Sequence, residues 1–375
     1  MADPVSQTSA FPPAASPLSP IPVRSVAGFR VGHWTDLAGG TGCTAIVAPA
    51  GACGGVDVRG GAPASRETDL LRPENTVDTV HAVVLSGGSM YGLEAASGAA
   101  RELERRGIGL PVGPALAPIV CSSCIFDLAF GDPASRPDVA AGESAVATAL
   151  DTDASAPLAE GTVGAGSGAT VGKLLGPERA MKGGLGARAF ALGPLQVGAI
   201  TSVNACGNVV DPATLEPIAG VRALDEDNGG PAILDMEETM LAMAGSMAMP
   251  LARDNEGGAA ATTQPAHPAP AACAPRSNTT ISCIITNARL TKAQATKVAQ
   301  MAADAYAHTI RPTHTTNDGD TIYVLASGEL PAEAASALPL DLIGLVANRA
   351  LEAAIVAAVR EATGLHGVPA ARDLS

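Results

Sequence analysis

The stretch PRSNTTISCIITN, Pro275 to Asn287, decides how the rest of the chain is read. Ahead of it, 252–277 (ARDNEGGAAATTQPAHPAPAACAPRS) holds Ala, Pro, Gly and small polar residues with no apolar period. Such a segment has little to bury and is expected to be a mobile linker. Behind it, Ile281–Ile285 reads as a buried strand. Asn278, Thr279 and Thr280 sit on the seam. A Thr hydroxyl is a poor nucleophile unless a base lies beside it, and a free α-amine on the same residue, with a pKa of about 7.7–8.0, is such a base. That arrangement needs a cut before Thr279. A mobile segment ahead would let the new terminus open into a pocket, and a strand behind would hold the nucleophile rigidly. Asn278-Thr279-Thr280 also fits an N-glycosylation sequon. The start of the chain, MADPVSQTSAFPPAASPLSPIP, lacks the basic and apolar segments of a secretory signal, which disfavours that reading. Residues 1–22 are expected to form a disordered tail, and a cytoplasmic location is expected.

The 375 residues are 47% apolar but only 2% aromatic. The core must therefore be built from Ala, Val, Leu and Ile, side chains suited to close-packed layers of sheet and helix. With a net charge of -14 and no dense basic patch, nucleic acid is not an expected partner. No apolar run reaches the roughly 18–20 residues that span a bilayer, so no membrane is expected either. Seven cysteines, an odd number spread widely, argue against a disulfide framework. Cys121 and Cys124, in CSSC, lack a second Cys pair and a nearby His, and read as core. No His/Glu spacing suggests a metal, and no cofactor is expected.

Strands and helices interleave along the chain. HAVVLSGGSMYGLEAASGAARELERRG reads as a strand at His81–Ser86, a Gly-Gly turn, and a helix ending near Gly107. Asp138–Leu150 reads as a helix, and GPLQVGAITSVNACGNVVD as a long buried strand with a turn. Ile233–Met249 reads as a helix whose Met stripe faces the core. LTKAQATKVAQMAADAYAHTIRP reads as one helix, opened by a Thr291/Gln294 capping box, lined inside by Val298, Met301, Ala302 and Ala305, and stopped by Pro312. Thr321–Ala326 is a strand, and Leu342–Thr363 the last helix. The pattern fits a layered α/β domain.

GAGSGATVGK, Gly164 to Lys173, resembles nucleotide loops only loosely. Ser167 and Leu174 break the P-loop pattern, and Ala169 breaks the dinucleotide pattern. A Gly-rich turn that carries Lys173 into a site fits better, beside the plainer reading of an exposed Lys. NDGDT places Asp318 and Asp320 at the mouth of a strand, where an ordinary Asp-Gly turn is the competing reading. No nucleophile elbow is present, and LSGGSMYG does not match one.

The segment from SNTTISC to YVLASGE resembles the start of the β-subunit in the P1 (S58) peptidase family. That family includes L-aminopeptidase/D-esterase enzymes, β-aminopeptidases and nylon-oligomer hydrolases. VDVRGGAPASRETDLL, VVLSGGSMYGLEAA, GTVGAGSGATVGK and VNACGNVVDP are similar to that family too, in its order, over roughly residues 26–362. The resemblance implies a four-layer αββα sandwich, like the N-terminal-nucleophile hydrolases but with its own connectivity. It places one domain at 23–375 and a self-cleavage between Asn278 and Thr279. The products would be an α-chain of 1–278 and a β-chain of 279–375, associated as a homotetramer of heterodimers.

By the same resemblance Thr279 is the nucleophile, Lys173 a cation beside it, and Asn204 an oxyanion donor. Tyr91 matches a position that shares the oxyanion task in some members. Asp318 and Asp320 match an acidic pair that orients the nucleophile in nylon-oligomer hydrolases. The expected function is self-processing amide hydrolysis, of the aminopeptidase type, on short peptides or small amides through an acyl-enzyme. The alternatives are cleavage of 6-aminohexanoate oligomers and, in another class, an unprocessed, inactive binding or scaffold protein.

Overall fold

The computed structural model describes residues 17–224, 232–248, 278–335 and 338–374. The expected linker lies outside them.

Eight principal strands build the sheets: β1 Arg30–Asp36, β2 Thr41–Val58, β3 Val80–Ser86, β4 Val120–Cys124, β5 Gly184–Leu192, β6 Leu195–Asn204, β7 Thr279–Thr286 and β8 Thr321–Ala326. Four helices cover them: α1 Glu94–Arg105, α2 Val139–Asp151, α3 Lys292–Ala302 and α4 Leu340–Arg360. Strand β2 belongs to two sheets. Its first half pairs with β1 and β3, and its second half, Cys53–Val58, pairs with β8. The register shifts between Val47 and Ala52. Pro49, which has no N–H, and Gly51, at φ +80°, stand there. Such an irregularity bends and twists a strand. One sheet then runs β5-β6-β7-β8-β2, and the other holds β1, β2, β3 and β4.

Three apolar layers separate four structural ones. Phe29, Ile46, Leu85, Ile200, Ile281 and Tyr323 fill the space between the sheets. Val298, Ala302, Leu351 and Ile355 of α3 and α4 pack on Ala199, Ile284 and Val324. Ala95, Ala99, Ala145 and Ala149 of α1 and α2 pack on Ala45 and Val84. This is the expected αββα order. Small side chains let the helices lie close: a methyl group added at Gly186 would come within 1.9 Å of the Ala354 carbonyl oxygen of α4.

Several local expectations hold. Cys121 and Cys124 are buried in β4. Burial lifts the Cys121 thiol to about 12 and Cys124 higher still. The Thr291/Gln294 capping box is formed. Others need correction. Ser19–Ile21, assigned to the tail, pairs with β5 as an edge strand. The helix read as continuous to Pro312 breaks at Ala303 into α3 and a short helix Asp304–Thr309, and Ile310 then turns extended. The Met stripe of the helix Met236–Ala248 does not face the core. Met236 is buried, but Met240, Leu241 and Met243 are exposed. By length and composition helix α4 is apolar enough to cross a membrane. It packs on β5 and β6, with 67% of its most apolar window buried.

Candidate active site

Thr279 opens β7, and β7 lies between β6 and β8. In the antiparallel register with β6, Thr279 is the direct partner of Asn204. Opposed residues project side chains to the same face of a sheet, so the hydroxyl and the amide share one side. On the other flank Asn278 bridges to Asp318 just ahead of β8. The strand expected at Ile281–Ile285 thus begins two residues earlier. The seam residue is held in sheet pairing and is buried at 4% exposure.

The Thr279 hydroxyl donates to the carbonyl of Asn278, the residue before it. The Gly319 N–H donates to that same carbonyl oxygen at 3.1 Å. Gly319 leaves room beside that hydroxyl. A Cβ there would stand 2.8 Å from Thr279 Oγ1.

The two acids divide their work. Asp320 is enclosed: Oδ1 accepts from Thr280 N–H at 2.7 Å, and Oδ2 accepts from the Thr313 hydroxyl and from both the backbone N–H and the ring of His314. It fastens β7 to the 313–320 loop. Asp318 accepts from the Thr315 N–H through Oδ2, while its buried Oδ1 has no hydrogen-bond partner. Burial first, then the charge of Asp320, raises the Asp318 carboxyl above its ordinary value. Lys173 pulls in the opposite direction.

The Gly-rich turn does carry Lys173 inward. The ammonium donates to Asn204 O at 3.0 Å and to Asn204 Oδ1 at 2.9 Å. Burial lowers its pKa from 10.5 to about 7, against the opposing pull of Cys206, Asp318 and Asp127. A lysine that titrates near neutrality can take up a proton as well as present a charge, which widens the purely cationic role expected for it. The Asn204 amide is gripped on both ends: Oδ1 also accepts from Thr170 N–H at 3.0 Å, and Nδ2 donates to Phe126 O at 3.1 Å.

Tyr91 stands apart from this cluster. It lies on the turn after β3, 49% exposed, with the Arg136 guanidinium 3.9 Å over its ring. None of its described contacts reaches Thr279, Asn204 or Lys173. Phe126, which the sequence reading passed over, meets Asn204 instead. Also missed were His314, Gly319, Asp127 and Lys182. The last two flank the turn that bears Lys173, and their only sequence signal was a charged residue inside an otherwise apolar stretch.

The described residues contain no group of three or more His, Cys, Asp or Glu able to hold a metal. A buried hydroxyl, a near-neutral lysine, a clamped amide and an acidic pair are parts that acyl transfer can use. The family model for peptidase family S58 matches residues 23–372. The chain belongs to peptidase family S58.

As a member of this family it is a peptide-bond hydrolase. An uncharacterized aminopeptidase of Mycobacterium tuberculosis is 37% identical over 370 residues, 94% of this chain and 97% of that relative. A 6-aminohexanoate-oligomer endohydrolase of Kocuria sp. is 29% identical over 325 residues, 83% of this chain and 78% of the relative. Among solved structures, a β-aminopeptidase of Burkholderia sp. superposes with a TM-score of 0.62 at 19% identity, over 93% of this chain and 89% of that one. An L-aminopeptidase D-Ala-esterase/amidase of Ochrobactrum anthropi, described as a variant of the Ntn-hydrolase fold, gives 0.59 at 17% identity, over 93% and 88%. These superpositions establish that this S58 chain shares their fold.

Proposed function

We propose that this S58 peptidase processes itself between Asn278 and Thr279 and then hydrolyses short peptides or small amides with Thr279 as an N-terminal nucleophile. One observation carries the reading: the Thr279 hydroxyl and the Gly319 N–H converge on the Asn278 carbonyl. In the precursor, Thr279 Oγ1 attacks that carbonyl carbon while Lys173, near its own pKa, accepts the hydroxyl proton. The oxygen that gains the electron pair keeps its Gly319 donor. Collapse breaks the C–N bond as Lys173 returns the proton to the leaving nitrogen, which moves the acyl group to Oγ1 and frees the Thr279 amine. Water then opens the ester, giving the Asn278 carboxylate and a Thr279 that begins a chain.

In the mature enzyme the α-amine takes the hydroxyl proton and Oγ1 attacks a substrate carbonyl. The Asn204 amide faces the developing oxyanion, a contact worth about 2.7–4 kcal/mol in acyl transfer. The proton passes to the leaving amine, and water releases the acyl group. Asp318, with its unpartnered Oδ1, suits an ammonium on the substrate, which favours amides with a free amino end. The same acid pair leaves 6-aminohexanoate oligomers, which carry such an end, as the second reading.

Intact mass under denaturing conditions tests the first step. Fragments of 1–278 and 279–375 are expected, and a single uncut chain identical to Thr279→Ala would refute self-processing. Turnover of amino-acyl p-nitroanilides and of 6-aminohexanoate oligomers tests the second step, and a processed protein inert to both is not the proposed hydrolase.

A further inference from the structure

Lys182 is fully buried at 0% exposure, has no place in the steps above, and lies in no motif that suggested chemistry. Its ammonium donates to Ser167 O at 2.7 Å and Ala169 O at 2.8 Å, 4.2 Å over the Phe130 ring. The charged groups acting on it are Asp127, which favours its cation, and Lys173, which opposes it. Burial dominates and lowers its pKa to about 7. Asp127 is itself buried, accepting from Gly88 N–H and the Thr41 hydroxyl. A desolvated amine of this kind is costly to keep and calls for a reason.

The reason lies in one peptide plane. Ala169 O, which accepts from Lys182, belongs to the same peptide group as Thr170 N–H, which donates to Asn204 Oδ1 at 3.0 Å. A second donor, Gly183 N–H at 2.9 Å, sits on that carbonyl too. Withdrawing electrons from the carbonyl end strengthens the N–H at the other end, and hydrogen bonds in a chain polarise one another. Asn204 Oδ1, pulled by Thr170 N–H on one side and by Lys173 on the other, passes the polarisation to its own Nδ2. We infer that Lys182 is a positioning residue for the oxyanion step: through the Ala169–Thr170 peptide it orients and polarises the Asn204 amide that faces Thr279. The inference rests on the hydrolase reading above. Two lysines thus serve one amide, Lys173 by direct contact and Lys182 through a single backbone unit.

The test is a double-mutant cycle on amino-acyl p-nitroanilide turnover, using Lys182→Met and Asn204→Ala. Lys182→Met is expected to lower kcat by about ten- to a hundredfold, less than loss of an oxyanion donor outright, with KM changed less than about threefold. In the Asn204→Ala background it is expected to add almost nothing, because the relay then has no terminus. Full additivity of the two losses, or an unchanged kcat in Lys182→Met, overturns the assignment. Lys182→Gln keeps N–H donors without the charge and is expected to fall between wild type and Met. Should both Lys182 variants lose their thermal transition, Lys182 is a residue of the fold alone and the inference fails. A wild-type chain that turns over no substrate refutes the hydrolase reading instead, so the two failures are distinct.

Discussion

Asn204 and Thr279 face each other across the β6–β7 register, and the amide of one is locked by contacts on both its ends while the hydroxyl of the other rests on the preceding carbonyl. The pairing places a fixed amide beside a buried hydroxyl without any loop between them. Sheet geometry therefore sets the reacting distance, and substitutions at either residue should act on rate more than on folding.

Replacing Thr279 separates chemistry from architecture. Thr279→Ala is expected to remain a single chain and to lose turnover by about a thousandfold or more. Thr279→Ser keeps the hydroxyl and should still process. Denaturing electrophoresis and initial rates decide both.

Asn204→Ala removes the amide to which the proposed mechanism gives the oxyanion. A loss of about 10²–10³ in kcat with a small change in KM is expected. An equal loss carried wholly by KM would place Asn204 in substrate binding.

Gly319 serves through its N–H and through the side chain it lacks. In Gly319→Ala the new methyl would meet Thr279 Oγ1 at 2.8 Å, a separation that forces the hydroxyl aside. Processing should slow by at least about tenfold, since displacement of a reacting atom costs rate steeply. Pulse-chase of the precursor measures it.

Processing of the precursor should speed up as pH rises through about 7. Lys173, lowered to about 7 by burial, acts as a base only after losing its proton, so precursor processing is slow at pH 6 and full by pH 8. Asp318 raises the Lys173 pKa. Asp318→Asn should therefore move the acidic limb of the processing profile to lower pH, and a shift to higher pH would contradict the placement of that charge.

Stability carries a related signature. Lys173 and Lys182 titrate near 7 when folded and near 10.5 otherwise. Between those values the unfolded chain binds more protons, so stability rises with pH. The buried thiols of Cys43 and Cys121, raised to about 12, oppose this only above about pH 9, where unfolded thiols ionise. Thermal midpoints are expected to climb between pH 7 and 8.5, with a shallower climb in Lys182→Met.

Much of this site could be read locally. The change from small polar residues to β-branched ones at Thr279 marks a boundary visible in ten residues. Lys173 follows a Gly-rich turn and the acids precede a strand, so each carried a pattern of its own. Lys182 and Asp127 carried none. Their meaning comes from the Ala169–Thr170 peptide that Lys182 meets and from the Thr41 and Gly88 donors that meet Asp127, pairings between separate segments. The Met236–Ala248 helix failed differently. Periodicity reports that an apolar stripe exists but not whether anything covers it. Tyr91 was placed by likeness of motif, and its turn sends the ring outward onto Arg136.

The strand order β6-β7-β8-β2 has a consequence for a chain severed at Thr279. Two neighbouring strands, β7 and β8, would belong to one fragment, and the strands flanking them on either side to the other. Neither fragment could leave without unzipping both seams at the middle of a sheet, so the parts would stay locked after the bond is gone. Unfolding would be another matter. Once dispersed, the halves must find each other in solution, and recovery would depend on concentration where the intact precursor's does not. Maturation would then trade a reversible fold for one held chiefly by the slowness of its first opening.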